Sequence, residues 1–272
     1  MAERVDGRRV LRYDDGVLVE RPDTLAVEEP LEIRLGQTPL TVTMRTPGDD
    51  IDLALGWLVG EGVIRRPDDV ISLRERSQAM PDGLPARSVE IELAHGVEAP
   101  RPRAFLTSSA CGVCGTDAIA TIRRRVDEGA SGRDADDRVV AATVLTGLPD
   151  LLRAEQSAFA RSGGLHAAGL FSLTGELQVV REDVGRHNAV DKVVGWAVRH
   201  DRLPLRGTVL QVSGRASFEL AAKAVAAGIP VLSAISAPST LAVDLARETG
   251  LTLAGFVRGR SFNVYAGAQR IR

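Results

Sequence analysis

Residues 208–257 read TVLQVSGRASFELAAKAVAAGIPVLSAISAPSTLAVDLARETGLTLAGFV, and this stretch decides the fold class. It holds three short apolar runs that alternate with two amphipathic segments. The runs lie at 208–212, 231–235 and 251–257, and the segments lie at 216–227 and 241–249. Short apolar runs separated by helical segments are typical of strands in an α/β layered domain. The sequence therefore predicts such a domain, with largely parallel strands, in its second half.

The residues just before this stretch extend the same domain. Residues 165–173 and 176–180 are apolar runs that can pair as strands across Thr174-Gly175. Arg186 to His200 has helical periodicity, with its valines and alanines on one broad face. Further along, Ser239 and Thr240 can cap the helix at 241–249.

The first third of the chain is predicted to be β-rich. Apolar and polar residues alternate in four runs: Val17 to Glu20, Leu31 to Leu35, Leu40 to Arg45 and Ser88 to Ala94. After the third run a turn leads into a short apolar helix, from Ile51 to Val59. Asp49, Asp50 and Asp52 are interpreted as the N-terminal cap of that helix, where carboxylates favour the helix dipole.

A segment rich in Asp, Gly, Ser and Ala, at 127–138, has the composition of a linker. We therefore predict two domains. Residues 1–137 form a β-rich, mixed α+β N-terminal domain that ends in a cysteine loop and its helix. Residues 138–272 form an α/β domain.

Charge and hydropathy exclude several classes of function. The chain carries 34 Lys and Arg against 36 Asp and Glu, with no long basic stripe, so binding of nucleic acid through its phosphates is not expected. The charged first ten residues lack the apolar core of a secretory signal. The longest apolar stretch, Ala221 to Ala237, is too short and broken to span a bilayer. We expect a cytoplasmic protein that does not bind membranes.

The chain has two cysteines, Cys111 and Cys114, in the run SSACGVCG at 108–115. A Cys-x-x-Cys spacing lets both sulfurs converge, and a helix that starts just after the pair favours the thiolate, the nucleophilic form. The flanking glycines leave room for the sulfur of a partner molecule. This arrangement predicts at least one reactive thiol.

Three chemistries fit this spacing. Zinc binding is the weakest, because two cysteines supply half of a tetrahedral set and the histidines lack the short spacing of zinc sites. Dithiol redox chemistry and sulfur carriage as a persulfide are equally consistent with the spacing. Two buried, inert cysteines fit a glycine-flanked loop less well.

Four blocks of the chain, in order, resemble the FdhD family of accessory sulfurtransferases. The cysteine run is similar to the family's cysteine loop. The other blocks are MRTPGDDIDLALGWLVGEGVI at 44–64, residues 164–170 together with REDVGRHNAVDK at 181–192, and residues 212–265, which include SGRASFE, GIPVLSAISAPS and FVRGRSFNVY. The resemblance covers most of the chain, so it does not rest on a chance match of one short motif.

The resemblance implies a sulfurtransferase, an enzyme that accepts sulfane sulfur from a cysteine desulfurase on Cys111. It passes that sulfur to the molybdenum cofactor, bis-molybdopterin guanine dinucleotide, before the cofactor enters formate dehydrogenase. Cys114 is expected to assist. The family's cofactor-binding stretch matches Phe256, Val257, Arg258, Gly259, Arg260 and Ser261 in the C-terminal domain.

The resemblance also implies a three-layer α/β fold like that of cytidine deaminase in the C-terminal domain, and a homodimer. The implied partners are the cysteine desulfurase and the catalytic subunit of formate dehydrogenase, and the protein itself is expected to hold no metal. Deaminase chemistry is disfavoured, because Ala110 stands where the deaminase P-C-x-x-C motif has proline. Two alternatives remain: a non-catalytic chaperone for the molybdenum cofactor, and a dithiol oxidoreductase.

Other side chains have a functional and a structural interpretation. Arg258 and Arg260 flank Gly259 and can together hold a pyrophosphate, or they are solvated residues at a strand end. The turn at 213–217 can hold an anion at a helix N-terminus, or it is an ordinary α/β turn. His187 is an acid or nucleobase contact, or a capping or core residue. For His166 we expect a buried histidine with its hydrogen bonds satisfied, and for Trp57 and Trp196 core or interface positions.

Overall fold

The computed structural model describes residues 3–79, 85–100 and 138–272. Its N-terminal part begins with a two-stranded hairpin and continues as a four-stranded sheet with one helix. The elements are β1 (Val5–Asp14), β2 (Val17–Ala26), β3 (Glu29–Leu35), β4 (Thr38–Arg45), α1 (Asp50–Gly60), β5 (Val70–Ala79) and β6 (Pro85–Leu93), with a 3₁₀ turn at Pro67–Asp69. The four-stranded sheet has the order β4-β3-β6-β5, in which β3 and β6 are parallel.

The hairpin was only partly predicted, as a strand from Val17 to Glu20. Its turn is Asp15-Gly16, and both residues have positive φ, 44° and 89°. Such a two-residue turn matches the twist of the flanking strands, and Asp-Gly is one of its strongest sequence signals. The base of the hairpin is anchored, since Val5 is buried in a small cluster with Ala158 and Leu165.

The second half forms a six-stranded sheet with helices on both faces. Its elements are α2 (Ala142–Ala154), α3 (Ser157–Ser162), β7 (His166–Ser172), β8 (Leu177–Asp183), α4 (Arg186–Arg199), β9 (Thr208–Val212), α5 (Phe218–Ala226), β10 (Val231–Ala234), α6 (Thr240–Thr249), β11 (Thr252–Arg258) and β12 (Ser261–Ala266), followed by a 3₁₀ turn at Ala268–Arg270. The strand order is β12-β11-β10-β9-β7-β8. These elements confirm the predicted α/β class.

The prediction of largely parallel strands is wrong for the sheet as a whole. In this sheet only β9, β10 and β11 run parallel to one another, connected by the crossover helices α5 and α6. The pairs β7–β8 and β11–β12 are joined by short loops, and such loops connect antiparallel strands. The pair β7–β9 is antiparallel as well.

Alternation along the strands separates two apolar layers. On one face, Leu145, Leu148 and Leu152 of α2 pack with Phe171 and other buried residues of the sheet. On the other face, the sheet packs against α4, α5 and α6. The C-terminal half therefore has three layers, helix, sheet and helices, as the resemblance implied.

The N-terminal part packs on the second helical layer through α1 and α4. An added Cβ on Gly56 would overlap the carbonyl oxygen of Asp191, and one on Gly195 would overlap that of Asp52. The two helices are therefore in backbone contact at both glycines. One continuous apolar cluster extends from Leu31 in β3 through these helices to the sheet. The division into domains at 137/138 stays a prediction.

The interpretation of three aspartates as a helix cap is corrected by the structure. Asp49 stands at the N-cap with a left-handed backbone, and its side chain makes no capping hydrogen bond. The three carboxylates instead bind arginines, and the ion pairs are Asp49 with Arg4, Asp50 with Arg45, and Asp52 with Arg181 and Arg199. Ser239, in contrast, caps α6 as predicted, since its Oγ accepts the Ala242 N–H.

Candidate functional site

The carboxyl ends of β9, β10 and β11 form one continuous edge. The loops that follow β9 and β10 remain hydrogen-bonded beyond the strands, because the N–H of Ser236 donates to the Gly214 carbonyl at 3.3 Å. The N–H of Phe256 donates in turn to the Ser236 carbonyl at 3.2 Å. Open α/β sheets bind ligands outside the carboxyl ends of their parallel strands. We therefore take this edge as the candidate site and call it the carboxyl edge.

His166 joins the carboxyl edge because β7 runs antiparallel to β9. It is the first residue of β7, next to Ala167, whose N–H donates to Ser213 Oγ at 2.9 Å. A Cβ added to Gly214 would lie 3.4 Å from the imidazole ring, so the turn after β9 lies directly beside His166. The ring is partly exposed and makes no hydrogen bond within the part of the chain that the structure describes. The expectation of a buried, satisfied histidine is therefore wrong.

Two arginines give the edge around His166 a positive character. Burial lowers the pKa of His166 below its ordinary value of 6.5, and the nearby charges of Arg186, His187 and Arg215 lower it further, against the opposing effect of Asp183. The lowered pKa favours the neutral form of the imidazole. Arg186 begins α4, while Arg215 lies exposed in the turn after β9. Their guanidinium groups suit an anionic ligand at this edge.

His187 is buried and joins the first turns of α4 and α5. Its Nε2 lies 3.0 Å from Glu219 Oε2 and 3.2 Å from Ser217 Oγ. The arrangement fits a histidine that ties two helix starts together.

The stretch Phe256–Ser261 lies at the far end of the carboxyl edge, where β11 turns into β12. Val257 is buried and anchors it, while Arg258 and Arg260 are exposed on either side of Gly259, which has a φ of 56°. Phe256 also has a positive φ, 53°, which is unusual for an aromatic residue. The Arg258 Cζ lies 5.9 Å from the centroid of its ring. The stretch thus presents two guanidiniums and one aromatic face.

Much of the REDVGRHNAVDK segment at 181–192 is structural. The Nζ of Lys192 lies 2.8 Å from Asp183 Oδ2 and donates to the Thr46 carbonyl at 2.8 Å. Asn188 Nδ2 donates to the Met44 carbonyl at 2.7 Å. These buried bonds hold the end of β4 against the start of α4. Sequence reasoning did not find this role, because Lys192 and Thr46 are far apart in the chain.

Cys111 and Cys114 lie outside the described residues, so their prediction as the catalytic pair is not tested by the structure. Trp57 is buried in the core, as expected. Trp196 is partly buried, with its ring 4.6 Å from that of His200.

A separate concavity of about 790 Å³ lies on the outer face of the four-stranded sheet. Its walls are charged, but the charges are matched by neighbours: Arg34 pairs with Glu32 at an N–O distance of 2.5 Å, and Arg76 pairs with Glu90 at 2.8 Å. None of its lining residues belongs to the carboxyl edge. Within the described residues, no helix is long and apolar enough to cross a membrane.

The fold and this edge define the protein as a three-layer α/β protein with a cationic edge at the ends of its parallel strands. Residues 26–272 match the model of the FdhD/NarQ family. The chain is 54% identical over 277 residues to the sulfur carrier protein FdhD of Streptomyces coelicolor, an alignment that covers 100% of this chain and 97% of that one. The chain therefore belongs to the FdhD/NarQ family.

More distant relatives give the same result. The sulfur carrier protein FdhD of Mycobacterium tuberculosis is 51% identical over 271 residues, and that of Sulfolobus acidocaldarius is 40% identical over 263 residues, each alignment covering 97% of both chains. A crystal structure of a formate dehydrogenase accessory protein from Desulfotalea psychrophila superposes with a TM-score of 0.75 over 99% of this chain and 100% of that one. At 21% identity, this likeness shows a shared fold.

Proposed function

We propose that this protein is a sulfur carrier that accepts sulfane sulfur from a cysteine desulfurase on Cys111. It transfers the sulfur to the molybdenum cofactor, bis-molybdopterin guanine dinucleotide, before the cofactor enters formate dehydrogenase. The observation that carries this proposal is the full-length similarity to proteins named sulfur carriers. The matched range, 26–272, includes both cysteines.

Loading is a thiol–disulfide type of exchange. The Cys111 thiolate attacks the outer sulfur of the persulfide on the desulfurase. A new S–S bond forms on Cys111, the old S–S bond breaks, and the desulfurase cysteine leaves as a thiolate. No net oxidation occurs in this step, because one persulfide is exchanged for another.

Delivery of sulfide requires two electrons. The Cys114 thiolate attacks the inner sulfur of the Cys111 persulfide and expels HS⁻, while the two cysteines form a disulfide. The two thiols supply both electrons, and a dithiol reductant returns the disulfide to thiols for the next cycle. Cys114 therefore has an accessory role, since loading needs Cys111 alone.

The carboxyl edge is the proposed binding surface for the cofactor, which is written here as the substrate. Its phosphates require cationic partners, and Arg258 and Arg260 are exposed at one end of the edge, while Arg186 and Arg215 lie near His166. Arg offers planar, bidentate contacts to phosphate. Burial, Arg186 and Arg215 lower the pKa of His166 and favour its neutral form, which can accept a hydrogen bond.

The test is to incubate the protein with an active cysteine desulfurase and cysteine, and to map the modified thiol by intact and peptide mass spectrometry. The expected result is a gain of one or more sulfur atoms on Cys111. The Cys111→Ala protein should stay unmodified, and Cys114→Ala should load and then retain its persulfide. Because Cys114→Ala cannot expel sulfide by forming a disulfide, a Cys114→Ala protein that stays unmodified beside an active desulfurase would overturn the carrier proposal.

The same experiment separates the two alternatives. A non-catalytic chaperone for the molybdenum cofactor would bind the cofactor without becoming persulfidated. A dithiol oxidoreductase would instead turn over added disulfide substrates without any persulfide on Cys111, and Cys111→Ala and Cys114→Ala would both abolish that turnover.

A further inference from the structure

We propose that the hydroxyl group of Ser217 donates a hydrogen bond to a phosphate of the ligand at the carboxyl edge, and that Glu219 sets this role through His187. Ser217 is then a binding residue, whereas Glu219 and His187 are positioning residues. The inference rests on the proposed function, because it names a further contact of the surface that would hold the phosphates of the cofactor.

Two serines occupy equivalent positions at the starts of the crossover helices, but they are used differently. Ser217 is the N-cap residue of α5, and Ser239 is the N-cap residue of α6. The Oγ of Ser239 accepts the N–H of Ala242 at 3.3 Å, which is the usual role of a serine at this position. The side chain of Ser217 makes no capping hydrogen bond. Its Oγ lies instead 3.2 Å from Nε2 of His187.

The carboxylate of Glu219 determines which ring nitrogen of His187 carries a proton. Its Oε2 lies 3.0 Å from Nε2, the same nitrogen that contacts Ser217. A carboxylate has no proton to donate, so a hydrogen bond at this distance requires a proton on Nε2. A ring nitrogen that carries a proton cannot accept a second one. His187 therefore cannot accept the proton of the Ser217 hydroxyl or act as a base toward it.

The hydroxyl proton of Ser217 is consequently directed to a third group. The Oγ can accept the Nε2–H of His187 with a lone pair, while the hydroxyl rotates to place its own proton on an acceptor. Among the described residues, His187 is the only hydrogen-bond partner of this side chain. Ser217 is partly exposed, so an acceptor that binds at the carboxyl edge can reach its hydroxyl.

The charges around Ser217 favour an anion as that acceptor. Arg215 is exposed two residues before it, and Arg186 directly precedes His187 at the start of α4. Both guanidiniums act electrostatically on His166, so they lie at the same end of the carboxyl edge. A phosphate bound by arginine has further oxygen atoms that can accept a hydrogen bond from a hydroxyl. Ser217 thus adds a neutral donor to a cationic surface.

A second contact between α4 and α5 holds this geometry. Asp191 lies one turn after His187 in α4. Lys223 lies one turn after Glu219 in α5, and its Nζ is 2.6 Å from Oδ1 of Asp191. Residues four apart lie on the same face of a helix. The two contacts are therefore successive links between the same two helix faces, and the buried second link fixes the distance between Glu219 and His187 in the first.

The test is binding of GDP, as a probe of the nucleotide part of the cofactor, to the full chain by isothermal titration calorimetry. Ser217→Ala removes the donor, and we expect the dissociation constant to rise about ten-fold or more, as for the loss of a hydrogen bond to a charged group. Ser217→Thr keeps a hydroxyl and should bind like wild type. Ser239→Ala is the matched control, because it removes the equivalent serine that caps its helix. It should lower the Tm and leave GDP binding unchanged.

Glu219→Gln tests the positioning step. An amide can donate as well as accept, so it no longer requires a proton on Nε2 of His187, and the Ser217 hydroxyl can then donate to that nitrogen. We expect weaker GDP binding. Loss of a negative charge beside an anion would by itself strengthen binding, so the expected effect has the opposite sign. In the Ser217→Ala background, Glu219→Gln should cause no further weakening, because both changes act through the same hydroxyl.

NMR of the imidazole nitrogens of His187 measures the protonation without any ligand. We expect a proton on Nε2 in wild type and a population without it in Glu219→Gln. An Nε2 without a proton in wild type would overturn the role of Glu219. If wild type binds GDP and Ser217→Ala binds it equally well, this inference fails while the proposed function stands. If wild type binds no GDP, the proposed binding surface fails, and the role of Ser217 fails with it.

Discussion

The ammonium group of Lys192 lies 2.8 Å from Oδ2 of Asp183, and both side chains are completely buried. Asp183 also accepts hydrogen bonds from the backbone N–H of Thr46 at 3.1 Å and of Gly185 at 2.8 Å. The ion pair therefore sits in a saturated polar network between β4, the end of β8 and α4. Such a network fixes the N-terminal sheet against the layer that carries the carboxyl edge.

Breaking this ion pair should destabilise the protein strongly. Lys192→Met leaves the Asp183 carboxylate buried without its counter-charge, and we expect a loss of about 3–5 kcal/mol in the free energy of unfolding. Denaturant titration measures this loss. The double variant Lys192→Met/Asp183→Asn removes both charges and should be more stable than Lys192→Met. Equal stability of the two variants would show that the buried charge is not the cause.

The contact between α1 and α4 should be intolerant of one added methyl group. Gly56→Ala places a Cβ on the Asp191 carbonyl, so we expect a loss of at least about 1–3 kcal/mol in the free energy of unfolding from forced displacement of the helices. Gly147→Ala is the control, because a Cβ in the middle of α2 meets nothing within 4 Å. It should gain about 1 kcal/mol from helix propensity. Thermal unfolding of the two variants, compared with wild type, measures both the loss of stability in Gly56→Ala and the gain in Gly147→Ala.

Asp191 should make stability depend on pH. Burial raises the pKa of its carboxyl group to about 6, although Lys223, 2.6 Å away, and His187 lower it. The folded state therefore binds this proton more tightly than the unfolded state, whose pKa is near the ordinary 3.8. The resulting stabilisation is complete below about pH 4 and is lost as the pH rises through 6.

The variant Asp191→Asn cannot titrate, so it isolates this effect. The difference in Tm between wild type and Asp191→Asn should fall as the pH rises from about 4 to about 7. Other groups titrate alike in both proteins and cancel in the difference. A constant difference across this range would contradict the assignment.

His166 should report on the positive charge of the carboxyl edge. Burial lowers its pKa, and Arg186 is the largest of the charges that lower it further. Arg186→Gln removes that repulsion and should raise the pKa of His166 toward 6.5, as followed by NMR of its ring protons. Arg247→Gln, an exposed change in α6, should leave the titration unchanged. If both variants move the pKa equally, long-range charge rather than local geometry sets it.

The arginines after β11 should matter for binding and not for sulfur loading. Arg258→Glu or Arg260→Glu replaces a phosphate partner with a repelling charge, and we expect affinity for GDP, as a probe of the nucleotide part, to fall about ten-fold or more. Persulfide formation on Cys111 and the Tm should not change. Arg247→Glu carries the same charge change elsewhere and should bind normally. Unaltered GDP binding in all three variants would remove the carboxyl edge from the proposed function.

Local signals in the sequence were sufficient for most elements. Helix α6 begins after Ser239 and ends at Gly250, which has a φ of 70°, because capping and left-handed backbone preferences act within a few residues. The Asp15-Gly16 turn signals a hairpin for the same reason, because turn preferences also act within a few residues. The relative direction of neighbouring strands was predicted less well. It depends on which strands pair, and not on the residues that each strand contains.

The sequence by itself determined the α/β class, most strands and helices, the Cys-x-x-Cys spacing and the family. Those features depend on periodicity, turn chemistry and short motifs, all of which act between neighbours in the chain. Only the tertiary structure decided that Asp52 binds Arg181 and Arg199, more than a hundred residues away, instead of capping its own helix. It also decided that His166 meets Gly214 at the carboxyl edge. A buried charge takes whichever partner folding brings within hydrogen-bond distance, and nothing local in the sequence specifies that partner.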